Sequence, residues 1–205
     1  MNLILPEGDF EAYIFDCDGT LADTMPLHYM AWCAALKDDS CVFPEALFYE
    51  LGGTPTEKIV EILNERCGTA LPPRETALKK EEIYIKMIPQ ILPIEPVIEL
   101  VNQYHGSRPM AVASGGYRRI VLQTLNALGI ADKFDAIVGA EDYVHSKPAP
   151  DSFLEAARRL GVPPEKCLVF EDAQIGIQAA KAAGMQWVLV PPPTRKITEV
   201  INPNA

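Results

Sequence analysis

The chain has 205 residues and a formal net charge of −10, from 18 Lys and Arg against 28 Asp and Glu. That balance excludes a reader of the nucleic-acid backbone, which needs a basic stripe to displace counterions. An apolar share of 48% beside 22% charged residues excludes intrinsic disorder and can build a packed core.

Met1 to Phe10 carries no Lys or Arg and no long apolar run, so no signal peptide is expected. Ala12 to Phe15 is a short apolar run that ends in the turn Asp16-Cys17-Asp18-Gly19-Thr20. From Met25 to Leu92 only helical patterns follow, over Pro26 to Ala35, Thr56 to Asn64 and Glu75 to Met87. Then come four more apolar runs: Met110 to Ala113, Ala136 to Val138, Cys167 to Phe170 and Trp187 to Val190. Each is apolar on both faces, as strands of a parallel sheet covered by helices are. Helical patterns over Tyr117 to Leu128, Asp151 to Leu160 and Ile175 to Ala183 separate them, each followed by a glycine stop. The alternation predicts an α/β fold, a doubly wound parallel sheet built from right-handed βαβ units. Residues 1–24 and 93–205 form its core, and residues 25–92 form an inserted helical cap over the strand ends.

No apolar stretch reaches the length of a membrane span. Cys17, Cys33, Cys41, Cys67 and Cys167 are odd in number, and no CxxC pair occurs. Reduced thiols and a cytoplasmic location are the expectation.

Asp16 and Asp18 stand two apart where the first strand ends, so they face one side of an extended segment. Two such carboxylates call for a hard divalent cation. Glu171 and Asp172 end a later strand, and a neighbouring parallel strand would carry them to the same rim. An all-oxygen set favours Mg²⁺ over a thiolate metal. A turn at Asp18-Gly19 and a helix cap at Asp172 remain the plainer alternatives. Ser114-Gly115-Gly116, between a strand and a helix, can cradle an anion or serve as a flexible connection. Lys147, flanked by prolines in Lys-Pro-Ala-Pro-Asp, is either a fixed cation or a solvated surface lysine.

In order, DCDGT, VASGG, KPAPD and FEDAQIG resemble the four motifs of the haloacid dehalogenase superfamily of phosphotransferases. The helical insert after the first motif is similar to the β-phosphoglucomutase-like branch. GSRPMAVASGG and VFEDAQIGIQAAKAAGM are similar to the small bacterial fructose-1-phosphate phosphatases. The resemblance implies Asp16 as a nucleophile that becomes aspartyl phosphate and Asp18 as general acid and base. It implies Mg²⁺ held by Asp16, the Asp18 carbonyl and Asp172 with Glu171 close by, and phosphoryl oxygens held by Ser114, Gly115 and Lys147. A phosphosugar mutase of this branch grips its second phosphate with a lysine and an arginine of the cap. Gly52 and Thr56 stand in their places here, so hydrolysis is expected in preference to mutase chemistry. A phosphorylatable signalling module is a third reading, although it needs neither an acid at Asp18 nor a cap. By the same resemblance Lys80 reaches the site and His28 meets the general acid; packing beside Trp32 is the alternative for His28. Gly52 either lets a sugar approach or makes a turn. Cys17 is expected to point into the core. A small phosphorylated metabolite is the expected partner, with no nucleic acid and no membrane, and a monomer is expected.

Overall fold

In the computed structural model residues 3–192 are described. Five parallel strands, β1 (Ala12–Phe15), β2 (Met110–Ala113), β3 (Ala136–Val138), β4 (Cys167–Glu171) and β5 (Gln186–Leu189), form one sheet in the order β3-β2-β1-β4-β5. The strand pleat sorts the core. Tyr13, Phe15, Met110, Val112, Leu168 and Phe170 face one side, while Ala12, Ile14, Ala111, Ala113, Cys167 and Val169 face the other. Phe15 stacks on Phe170 with ring centroids 4.6 Å apart. Cys17 is buried on that same aromatic side.

Helices α5 (Glu95–Tyr104) and α6 (Arg118–Ala127) cover the aromatic side through Val97, Val101, Val121 and Leu125. The small-residue side is covered by α7 (Asp151–Leu160) and α8 (Gln174–Ala182), through Phe153, Ala156, Ala179 and Ala180. Pro96 of the Pro-Ile-Glu-Pro segment lies in the first turn of α5. Proline is tolerated there because the first-turn N–H groups have no intrahelical partner. The last strand departs from expectation. β5 is an outer strand, and only Val188 of it is buried, with Trp187 37% and Leu189 48% exposed.

Between β1 and α5 run α1 (Met25–Ala35), α2 (Glu45–Glu50), α3 (Thr56–Cys67) and α4 (Pro73–Met87), and no strand among the described residues. These helices have a core of their own, with Trp32, Phe43, Phe48, Val60 and Leu63 buried together. A second cluster, including Leu27, Ala31, Tyr84 and Ile120, joins them to the sheet domain through α6. The two crossings of the chain lie against each other. The Asp23 N–H donates to the Leu92 carbonyl at 2.9 Å, and the Ile94 N–H donates to the Leu21 carbonyl at 3.0 Å.

The expectation of five reduced thiols is corrected. Cys41 and Cys67 form a disulfide with Cα atoms 5.4 Å apart, while Cys17, Cys33 and Cys167 are free. The pair meets because the segment after α1 packs on the end of α3, a contact that spacing along the chain does not reveal.

Candidate active site

The register of β1 on β4 pairs Phe15 with Phe170, so the residues that follow each strand emerge side by side. The Asp16 N–H donates to the Phe170 carbonyl at 2.9 Å. Carboxylate oxygens of Asp16, Glu171 and Asp172 converge within 4.8 Å of one another. Carboxyl ends of parallel strands are where such open sheets bind ligands.

Lys147 enters this group from the loop before α7. Its ammonium donates to Asp16 Oδ1 at 2.7 Å and Glu171 Oε2 at 2.7 Å, and all three residues are buried. Burial opposes the charge on Lys147, but the two carboxylates hold it above the ordinary lysine range. With all three carboxylates ionised, one ammonium would leave an excess of two negative charges. Burial, then repulsion from Glu171, pushes Asp16 up to about 8. Burial, then Asp16 and Glu171, pushes Asp172 up to about 9. A divalent cation fits this deficit of positive charge and this oxygen donor set. Glycine 19 is shaped for it: its φ is +86°, and a Cβ there would run into the Asp172 carboxylate. Glu171 is the most occupied of the three, since its Oε1 also accepts the Ala173 N–H at 3.0 Å.

Asp18 is held differently. Its Oδ1 accepts Thr24 Oγ1–H at 2.7 Å and faces His28 Nε2 at 3.2 Å. Burial works against the carboxylate, but the hydrogen bonds of His28 and Thr24 outweigh it and bring Asp18 down to about 2. The other nitrogen of His28, Nδ1, lies 2.8 Å from Lys80 Nζ. An ammonium can only donate, so Nδ1 accepts and Nε2 carries the hydrogen that points to Asp18. Burial and then the Lys80 charge push the imidazole pKa down, which keeps the ring neutral. The ring stacks on Tyr84 with centroids 3.8 Å apart.

Ser114 follows β2, and its Oγ accepts the Gly116 N–H at 3.0 Å. Gly115 has open space where a Cβ would stand. Asp16, Asp18, Ser114, Gly115, Lys147, Glu171 and Asp172 from the strand ends, with His28, Gly52 and Lys80 from the insert, all line one cavity of about 540 Å³. Lys147 and Asp172 are therefore neither a solvated lysine nor a simple helix cap; the α8 cap position is Ala173.

The description "haloacid dehalogenase-like hydrolase" belongs to the family model that matches residues 10–184. The chain belongs to that family. Among relatives of this haloacid dehalogenase-like hydrolase is the fructose-1-phosphate phosphatase YqaB of Escherichia coli (strain K12). It is 41% identical over 87% of this chain and 95% of the relative. The β-phosphoglucomutase of Bacillus subtilis (strain 168) is 31% identical over 85% of this chain and 80% of its own. The crystal structure of β-phosphoglucomutase from Clostridium difficile superposes with a TM-score of 0.78 at 29% identity, covering 87% of this chain and 83% of that one.

Several residues of the hydrolase site escape the sequence reading. Thr24 holds Asp18, and the only signal for it is its place just before the insert. Tyr143 lines the cavity and its hydroxyl donates to the Ser114 carbonyl at 3.2 Å. Tyr84 and Glu81 support His28 and Lys80. None of them sits in a motif, and each matters only through the side chain it meets in the folded chain.

Proposed function

We propose that the chain is a Mg²⁺-dependent phosphomonoester hydrolase of small sugar phosphates, fructose 1-phosphate among them. Residues 25–92 serve as its cap domain, and it works as a cytoplasmic monomer on a small phosphorylated metabolite. The observation that carries the reading is a buried Asp16 that lines the cavity beside one fixed ammonium and two further carboxylates.

In this reading an Asp16 carboxylate oxygen attacks phosphorus. The Asp16 O–P bond forms, the ester P–O bond breaks, and the sugar leaves as an alkoxide that takes a proton from Asp18. The hydrogen bonds that lower the Asp18 pKa favour its carboxylate before substrate binds; the entering phosphate dianion raises its proton affinity, so that it takes up a proton from solvent on binding and holds it for the alkoxide. Water then attacks the aspartyl phosphate, Asp18 takes the water's proton, and inorganic phosphate departs, restoring Asp16. Ser114, the Gly115 N–H and Lys147 hold the phosphoryl oxygens throughout. Asp16, the Asp18 carbonyl and Asp172 would hold Mg²⁺, with Glu171 fixing Lys147 beside them. When bound, the ion supplies charge neutralisation between carboxylate and phosphate.

A mutase reading draws support from the β-phosphoglucomutase relatives. Gly52 and Thr56 speak against it, because the cap offers no lysine and arginine pair for a second phosphate. A signalling module has no use for a cavity of this volume above its phosphorylated aspartate.

A phosphate-release screen over sugar phosphates, run with Mg²⁺ and then with EDTA, tests the proposal. Mg²⁺-dependent turnover is expected. Faster interconversion of β-glucose 1-phosphate and glucose 6-phosphate than phosphate release would put the mutase in its place, and no turnover of any ester would end the reading.

A further inference from the structure

The cap side of the cavity contains one lysine, and a carboxylate accompanies it. Lys80 is 4% exposed, with its ammonium 2.8 Å from His28 Nδ1 and 3.1 Å from Glu81 Oε1. Glu81 Oε1 also accepts Thr56 Oγ1–H at 3.4 Å, which ties the carboxylate to α3 as well as to its neighbour. The Glu81 side chain is 17% exposed and lines the cavity. Glu50, also on the lining, adds a further negative charge from α2.

Nothing in the chemistry at Asp16 requires an acid at position 81. An unpaired ammonium at Lys80 would suffice to donate to His28 and would also attract an anion at the far end of a substrate. With Glu81 in contact, the field of Lys80 is cancelled at the distances a second phosphate would occupy, and Glu50 turns the wall negative. Carboxylates on such a wall repel phosphate but accept hydrogen bonds from hydroxyl groups.

We propose that Glu81 is a specificity-determining residue whose carboxylate neutralises Lys80, restricting the site to monophosphates with an uncharged, hydroxyl-rich far end. This rests on the phosphatase reading and narrows its substrate class.

The test compares kcat/KM for fructose 1-phosphate and fructose 1,6-bisphosphate, with Mg²⁺, in the wild type, Glu81→Gln and Glu81→Asp. Glu81→Gln removes the charge but keeps an acceptor for Thr56. It should raise the bisphosphate-to-monophosphate ratio about tenfold, the order expected for one unit charge in a partly wet cavity. The gain should shrink with added salt. Glu81→Asp keeps the charge and should hold the ratio within about twofold of wild type, by the same charge argument. If Glu81 merely braces Lys80, both substrates fall together and the ratio stays put, which overturns the inference while leaving the phosphatase intact. Equal wild-type efficiency on the two substrates overturns it as well. No wild-type turnover of any phosphomonoester removes the parent reading and the inference with it.

Discussion

Lys147 lies 131 residues beyond Asp16 in the chain, yet its ammonium donates to the Asp16 carboxylate at 2.7 Å. The same ammonium contacts Glu171 at 2.7 Å and sits 4.8 Å from the centre of the Phe153 ring. A cation fixed on three sides, with its carboxylate partners buried, would have little to reorganise in the proposed role of holding a phosphoryl oxygen. Lys147→Met keeps most of the unbranched apolar stem and deletes the charge. It should lower kcat about 100-fold or more, on the scale of losing one preorganised charge at a reacting group. It should also weaken inhibition by inorganic phosphate. Steady-state kinetics with phosphate as inhibitor checks this; wild-type kcat would remove Lys147 from the mechanism.

Asp16 and Asp172 are both pushed up, to about 8 and about 9, first by burial and then by neighbouring carboxylates, Glu171 acting on Asp16 and Asp16 with Glu171 acting on Asp172. A carboxyl whose folded pKa exceeds its unfolded value is destabilising once it must ionise. Metal-free protein should therefore lose stability as pH climbs from about 4, the unfolded carboxylate range, through the raised folded values. Mg²⁺ needs the ionised ligands, so its binding competes with protons. The rise in Tm on adding Mg²⁺ should be larger at pH 8 than at pH 5, measured by thermal melts with EDTA as the reference. An equal or larger rise at pH 5 would contradict the carboxylate site.

Gly19 combines a φ of +86° with a position at which an added Cβ would run into the Asp172 carboxylate. Gly19→Ala should cost about 1–2 kcal/mol from the left-handed backbone alone. The added methyl must also displace Asp172. The Mg²⁺ concentration for half-maximal activity should rise more than about tenfold, equivalent to roughly 1.4 kcal/mol of lost binding. A titration of activity against Mg²⁺ decides it, and an unchanged midpoint would show that Asp172 does not serve the ion.

The Cys41–Cys67 disulfide closes a separation of 26 residues within the helical insert. Without reductant, denatured protein should expose three titratable thiols, from Cys17, Cys33 and Cys167, and reduction should expose all five. Cys41→Ser should lower stability by about 3 kcal/mol, the scale for a loop of this length. Five thiols before reduction would show the pair to be open in the isolated protein.

Much of the fold is written locally. An apolar run buried on both faces, a glycine after each helical stretch and paired acids after the first and fourth strands depend only on neighbours along the chain. For that reason Asp151–Leu160 is predicted to the residue, and Asp16, Asp18, Glu171 and Asp172 stand out before any geometry is known. The short helix Glu45–Glu50 and helix Glu95–Tyr104 are less legible, one because it spans 6 residues and the other because its proline mimics a break.

Tertiary packing decided the rest. Strand order placed β4 beside β1 and so brought Glu171 and Asp172 to Asp16. Packing of the insert on the sheet brought His28 onto Asp18; packing within it set Lys80 against His28, Thr56 against Glu81 and Cys41 against Cys67. The outer position of β5 left Trp187 exposed although its run looks like a buried strand. Hydrophobic patterning selects which face turns inward, but it carries no information about which distant side chain will meet it. Partner and charge balance at this site are thus properties of the folded molecule.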